Sequence, residues 1–260
     1  VSGFLGGDTG QEYSDLLKEI KLRQDFVLIK GHTRTNVTIS QNKSQSQTRL
    51  SFMGPKIKKE EADLLIKKVS KITCSQIIIG GSLPPGFKST SVVKLIKLGH
   101  KLKIPVIVDI PGAALAKVYK AKPFLIKPNL TEFQELTGKK VSRREDVIRE
   151  AIKLTKFVSI VCVSSVEGGA LLVSKDKVFF GRIPKITIRS TVGAGDSMVG
   201  AMTYVLNKFR GKGQLDLEMM LRYGLAASAA TLSNKGLDIG SKGAVLRYLP
   251  QIEIESIKIN

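Results

Sequence analysis

The sequence predicts an α/β fold: a mostly parallel sheet covered by helices on both sides, with a small separate β sheet near the start of the chain. Three observations predict it. From residue 58 onward, short continuous apolar runs alternate with amphipathic stretches, as where Gln76–Gly80 is followed by Ser89–Leu102 and then by Pro105–Asp109. Strands that are apolar throughout are buried on both faces, which a parallel sheet between two helical layers provides. Residues suited to chemistry recur at the C-terminal ends of these runs, namely Gly80-Gly81, Asp109, Lys127–Asn129 and Ser164. That is where ligands bind in open sheets of this kind. Finally, the string from Ser190 to Ala201 (STVGAGDSMVGA) reads as a small-residue loop that opens a helix and carries a carboxylate.

The elements follow in order. Residues 8–20 read as an amphipathic helix with Asp8 as its cap and Leu16, Leu17 and Ile20 on one face. Residues 26–30 and 33–40 alternate like strands around Gly31-His32, and 47–53 form a third extended run. Polar on one face, these three resemble a sheet set apart from the main core, and Pro55 closes it. Helices are expected over 58–71, Ser89–Leu102, Ala113–Tyr119, 143–156, Ala194–Phe209, Leu217–Leu232 and 242–249. Strands are expected over 76–80, 105–109, 124–127 and 159–163, with 170–174 and 177–181 paired across Lys175-Asp176.

Bulk composition removes several function classes. The 260 residues are 42% hydrophobic and 25% charged, which suits one large α/β domain. No apolar run approaches the ~18 residues of a membrane span. The two cysteines, Cys74 and Cys162, lie in apolar stretches without metal spacing. They read as buried free thiols, which points to a reducing, cytoplasmic location. The net charge of +20 raises nucleic-acid binding. The lysines, however, are spread over helical segments such as 56–59 and 67–68, with no aromatic-interleaved basic stripe and no Trp. A Lys-rich solvated surface that attracts phosphorylated small molecules is the preferred account, with no nucleic-acid and no membrane partner.

Gly193, Ala194 and Gly195 carry almost no side chain, so their amides can approach an anion closely at a helix start. Asp196 is placed to take a proton from a group attacking a phosphate. The four residues alone fit a tightly packed strand–loop–helix corner equally well. Asn129 and Glu132 follow a strand end at Lys127-Pro128. Their spacing alone favours a helix start with Glu near its dipole over a hydrated divalent cation near phosphates. Ser164 to Gly169 is a strand end and glycine turn. Asn234 reads as a helix C-cap. Arg34 offers forked donors for a phosphate, and Asn36, two residues on, shares its strand face. The segment Gly81–Ser89 is a near miss to a Walker A loop, one residue too long and with two prolines that lack N–H donors.

The string 190–201 closely resembles the C-terminal signature of the PfkB (ribokinase-like) sugar kinases, and within them the 1-phosphofructokinase branch. Lys127-Pro-Asn129-Leu-Thr-Glu132 is similar to the family's KPN and NxxE motif, and Gly80-Gly-Ser82-Leu-Pro-Pro-Gly86 to its SGSLPxG, with Gly80 where Ser is usual. The segment 31–37 resembles a lid strand of 1-phosphofructokinases and tagatose-6-phosphate kinases. Val166 departs from the usual Gly.

The resemblance implies a ribokinase-like three-layer α/β/α sandwich forming one kinase domain over 1–260, with 26–53 contributing lid strands. Family members begin with a strand bearing a sugar-binding Asp and a GGKGxN motif. Neither is present, and Val1 stands where Met would open a chain, so an N-terminally incomplete domain is expected. The implied activity is ATP-dependent phosphorylation of fructose 1-phosphate, with Mg²⁺. Asp196 would be the base and 193–195 the phosphoryl cradle. Lys127, Asn129, Ser164, Gly169, Gly195 and Asn234 would meet the nucleotide. Arg34, Asn36, Ser82 and Asp196 would meet the sugar phosphate. Glu132, with Asn129 through water, would serve the metal. A homodimer through the lid is the family expectation. The alternatives are tagatose 6-phosphate or fructose 6-phosphate as acceptor, or a non-catalytic nucleotide-binding remnant.

Overall fold

A computed structural model describes residues 1–41, 46–209 and 215–259. They form two compact units, Val1–Cys74 with Ser82–Leu102, and Ser75–Gly81 with Lys103–Asn260.

The first unit opens with strand β1 (Phe4–Leu5), helix α1 (Gly7–Glu19) and strand β2 (Val27–Leu28). β1 and β2 are parallel, with Phe4 opposite Val27. A parallel pair needs a long crossover, and α1 supplies it. The expected three-stranded sheet over 26–53 therefore does not form. Val27–Leu28 pairs with β1, while β3 (Val37–Gln41) and β4 (Ser46–Leu50) make a separate antiparallel hairpin. The cap of α1 is Gly6, and Asp8 sits in its first turn. Leu17 is buried, but Leu16 and Ile20 are exposed, so the apolar stripe is narrower than its sequence pattern. Helices α2 (Lys59–Val69) and α3 (Ser89–Leu102) complete the unit. α3 buries Val92, Leu95 and Ile96 at helical spacing.

The second unit is built on a seven-stranded sheet. Its strands are β5 (Ile77–Gly80), β6 (Val106–Asp109), β7 (Leu125–Ile126), β8 (Ile160–Val166), β9 (Gly169–Val173), β10 (Val178–Arg182) and β11 (Glu253–Ile257). They lie in the order β11-β10-β9-β8-β7-β6-β5. β5 to β8 are parallel, and β8 to β11 continue as antiparallel neighbours. Val106, Ile107 and Val108 are all buried, as a strand covered on both faces requires.

One face carries the long helices α7 (Ala194–Lys208) and α8 (Leu217–Leu232). Met198, Met202, Leu221 and Leu225 pack there on Ile107, Leu125, Cys162 and Leu172. Helices α4 (Gly112–Leu115), α5 (Leu130–Thr137) and α6 (Arg144–Leu154) belong to the same unit, and α5 and α6 contact β8 and β9. A short helix α9 (Lys242–Tyr248) follows α8. The Ala113–Tyr119 helix is shorter than expected, ending at Leu115 before a 3-10 turn at Tyr119–Ala121. β11 has no counterpart in the sequence reading, although Ile252 and Ile254 alternate with Glu253 and Glu255. Cys162 is buried, and burial pushes its thiol up to about 12, which removes it from chemistry at neutral pH. Cys74 is only half-buried, against expectation, because it lies in the loop after α2 rather than in a strand. Among the described residues no helix is long and apolar enough to cross a membrane.

Candidate active site

The loop from Ser190 to Gly193 is fixed before α7 begins. Ser190 Oγ donates to Gly236 O at 2.6 Å and accepts from Val192 N at 3.3 Å, and Arg189 N donates to Leu232 O at 2.8 Å. Gly193 is the N-cap, with φ +77°. A side chain there would clash with its own backbone, so glycine is what permits the turn. Further along, Ser197 Oγ and Thr231 Oγ1 are 2.8 Å apart, and Thr231 Oγ1 also accepts from Gly240 N at 2.9 Å. The start of α7 is thus tied to the end of α8.

Lys127 follows the last residue of β7. Pro128 has no N–H to donate to the ladder. The lysine is buried, and its Nζ lies 3.2 Å from Asp109 Oδ1. A Cβ at Gly195 would sit 3.2 Å from the same Nζ. An ammonium therefore presses against the positive end of a helix dipole. That arrangement is repulsive by itself and is relieved by an anion at the helix start.

Asp109 ends β6. Burial raises its carboxyl to about 6 even though Lys127 pulls the other way, and Glu132 and Asp196 add to the rise. Three carboxylates thus share one electrostatic neighbourhood around one lysine. Asp196 lies in the first turn of α7 and is exposed.

Asn129 caps α5. Its Oδ1 accepts from Glu132 N at 2.9 Å, and Glu132 Oε2 accepts from Asn129 N at 2.9 Å. This reciprocal capping box realises the structural reading of the pair and leaves Glu132 Oε1 for other work. Among the described residues no group of three His, Cys, Asp or Glu side chains could hold a metal ion by itself.

Ser164 N donates to Pro128 O at 3.0 Å, and Ser164 bridges to Asn129, so the two strand ends lie side by side. The turn between β8 and β9 has Glu167 and Gly168 both at positive φ, the geometry of a tight two-residue hairpin. Val166, the departure from the family pattern, is a buried strand residue just before the turn. Gly169 is required for close packing, since a Cβ there would come within 2.1 Å of Gly181 O.

These elements enclose a cavity of about 510 Å³. Lys127, Asn129, Ser164, Gly169, Ala194 and Gly195 line it together, and its apolar walls include Ile183, Ile188, Met198 and Leu225. Its size and mixed lining suit a small organic ligand with a charged end. The apolar wall was absent from the sequence reading. Its only signal is the pair Ile183 and Ile188 in the irregular stretch before the loop, which carries no motif. Asn234 is not in the lining. Its Nδ2 donates to Ile239 O at 3.0 Å and closes the turn after α8.

Arg34, Asn36 and Ser82 belong to the first unit. An Arg34 Nη2 hydrogen bond reaches Ser82 Oγ. Residues 32–36 are irregular rather than strand, so the shared strand face expected for Arg34 and Asn36 does not arise. Asn36 Oδ1 instead accepts from Phe52 N at 3.0 Å and ties the base of the hairpin.

Comparison with known proteins agrees with this architecture. A family model described as "pfkB family carbohydrate kinase" matches residues 1–242. The chain is 31% identical over 254 residues to the 1-phosphofructokinase of Bacillus subtilis, covering 97% of this chain and 80% of that protein. It is 34% identical over 235 residues to the ATP-dependent 6-phosphofructokinase isozyme 2 of Escherichia coli, covering 89% and 74%. The crystal structure of phosphofructokinase-2 from Escherichia coli in complex with substrates and products matches with a TM-score of 0.88 at 31% identity, over 96% of this chain and 81% of that one. The chain therefore belongs to the pfkB family of carbohydrate kinases.

Proposed function

We propose that this chain transfers the γ-phosphoryl group of ATP to the 6-hydroxyl of fructose 1-phosphate, giving fructose 1,6-bisphosphate and ADP. The observation that carries the reading is the buried Lys127 ammonium held against the first turn of α7, beside the exposed Asp196. Two converging positive ends and a nearby carboxylate are the parts that phosphoryl transfer needs.

In this reading the nucleotide occupies the 510 Å³ cavity, with its base against the apolar wall. Lys127 and the amides of Gly193–Gly195 take the phosphates. Asp196 accepts the proton of the attacking hydroxyl, and that oxygen then forms the new P–O bond while the bond to ADP breaks. Ser164, Gly169 and Asn129 shape the nucleotide cavity. Asn234 acts by closing the turn that supports the loop. Arg34 and Ser82 hold the acceptor's existing phosphate through forked and hydroxyl donors. Asn36 holds the hairpin.

The oxygen donors of Asp109, Glu132 and Asp196 are of the kind Mg²⁺ prefers. With no complete protein cage, such an ion would keep waters and take phosphate oxygens. Bound there, Mg²⁺ supplies charge neutralisation to the phosphates. Glu132 Oε1 would hold it directly and Asn129 through water. Val37, Ile39 and Leu50 are exposed, and the pairing of Val37 with Leu50 puts them on one hairpin face. That supports the hairpin as a lid shared between two copies.

Fructose 6-phosphate is the second reading, favoured by the 34% identity to a 6-phosphofructokinase. The experiment is ATP-dependent phosphorylation of fructose 1-phosphate, fructose 6-phosphate and tagatose 6-phosphate side by side. Highest kcat/KM is expected with fructose 1-phosphate. Asp196→Asn is expected to lower kcat by about 10²–10⁴-fold while ATP binding persists. Turnover with none of the three, or an Asp196→Asn variant of undiminished rate, overturns the assignment.

A further inference from the structure

The sheet unit holds a second cavity, of about 450 Å³, lined among others by Lys185, Thr187, Arg189, Ser233, Arg247 and Tyr248. Among the described residues no carboxylate lines it. Lys185, Arg189 and Arg247 form no ion pair among the described residues. The three are exposed cations that line one cavity, and an anion bound between them lowers their mutual repulsion.

The walls are fixed in advance. Tyr248 Oη and Ser233 Oγ are 2.9 Å apart, and Ser233 Oγ donates to Ala229 O at 2.8 Å, so the tyrosine hydroxyl donates to the serine. Gln251 Nε2 donates to Arg247 O at 2.8 Å. Tyr248 and Leu249 pack against the main core. What stays uncommitted is the set of cationic heads and the Thr187 hydroxyl. Guanidinium forks with an ammonium and a hydroxyl are the donor set of a phosphoryl dianion.

This cavity shares no residue with the one described above, yet the two share a wall. Ile188 and Thr191 line the first cavity, while Thr187 and Arg189 line the second. Leu232 lines the first and Ser233 the second. An anion drawn to Arg189 acts on the residue next to Ser190, whose hydroxyl positions Val192 and Gly236 ahead of Gly193.

We propose that the Lys185–Arg189–Arg247 cavity is an effector site for a phosphoryl dianion, and that its occupation alters nucleotide binding across the shared wall. The dianion is either inorganic phosphate or the head of a small phosphomonoester. The site is independent of which sugar phosphate is the acceptor.

The test counts phosphate sites by equilibrium dialysis in the presence of a saturating non-hydrolysable ATP analogue. Inorganic phosphate and glycerol 3-phosphate are run as separate arms to distinguish the two sources. Wild type is compared with the Lys185→Gln/Arg247→Gln double variant, whose melting temperature checks folding. Both substituted residues are exposed and lie outside the proposed catalytic machinery. The variant is expected to bind one equivalent fewer in at least one arm and to keep its turnover in phosphate-free buffer. In wild type, phosphate is expected to shift the ATP-analogue Kd by about fivefold or more, and in the variant not at all. Equal stoichiometry in both proteins in both arms overturns the site. A lost equivalent without any wild-type shift in Kd overturns the effector role.

Discussion

The loop at 190–196 aims its donors with backbone amides and a buried lysine, whereas Arg34 and Ser82 aim theirs with a half-buried and an exposed side chain. Every atom that orients the first set is held by something else: Ser190 by Gly236, Lys127 by Asp109, Gly193 by its left-handed cap. The second set rests on one side-chain hydrogen bond and an irregular stretch of chain. Preorganised donors in a low-dielectric setting stabilise charge that develops during a reaction. Solvent-accessible side-chain donors recognise charge already present. The contrast predicts that damage in the first region costs stability and catalysis together, while damage in the second costs acceptor affinity alone.

The strongest break in that contrast is Lys127→Met. It leaves the largely buried Asp109, 16% exposed, without its cation, and removing one partner of a fully buried pair costs about 3–5 kcal/mol. Urea unfolding at pH 7 is expected to show a loss of that order, together with loss of nucleotide binding. A variant as stable as wild type would mean that Asp109 is better solvated than its burial implies.

The same pair gives a pH signature. Asp109 rises from an ordinary 3.8 to about 6 in the fold. A carboxyl with a raised folded pKa binds its proton more tightly when folded. Its contribution is therefore complete below about 3.8 and is lost as pH rises through about 6. The shift corresponds to on the order of 3 kcal/mol. Wild-type stability at pH 4 and pH 7, minus the same difference for Asp109→Asn, isolates this contribution. A double difference near zero would refute the raised value.

The second region is sharpened by Arg34→Ala. A charged hydrogen bond to phosphate contributes about 1.5–3 kcal/mol, so the acceptor KM is expected to rise about 10–150-fold. The unfolding midpoint is expected to move little, because the hydrogen bond that the side chain makes among the described residues, to Ser82, is solvent-exposed. A comparable fall in ATP affinity would show that the two regions are not separable in this way.

How much of this could be read from the chain alone differs between the same two regions. The loop at 190–196 was legible because small residues before a helix mean backbone donors, and that is a local property. Ser89–Leu102 and Leu217–Leu232 were legible to the residue, since their apolar periodicity is long and regular. The pairing of Val27–Leu28 was not legible. Two-residue strands carry no periodicity, and the partner Phe4–Leu5 lies more than twenty positions away. Asp109 read only as a carboxylate at a strand end, because nothing local says that it meets Lys127. The apolar wall at Ile183 and Ile188 lies in irregular chain, where residue type does not encode direction.

The smallest effect tests the cap itself. Gly193→Ala places a Cβ on a residue at φ +77°, where an L side chain costs about 1–2 kcal/mol. The surroundings are not crowded, since the nearest side-chain atom to that Cβ is Ile239 Cγ2 at 3.6 Å. The penalty is therefore one of backbone conformation and not of collision. If the turn relaxes to a negative φ to escape it, the amides of Ala194 and Gly195 rotate away from the cavity. kcat is then expected to fall by more than the stability loss implies. If the turn holds, stability drops by the stated amount and kcat stays. Unfolding and turnover measured on the same preparation separate the two, and so decide whether the loop is held by its glycine or by the Ser190 and Thr231 hydrogen bonds on either side.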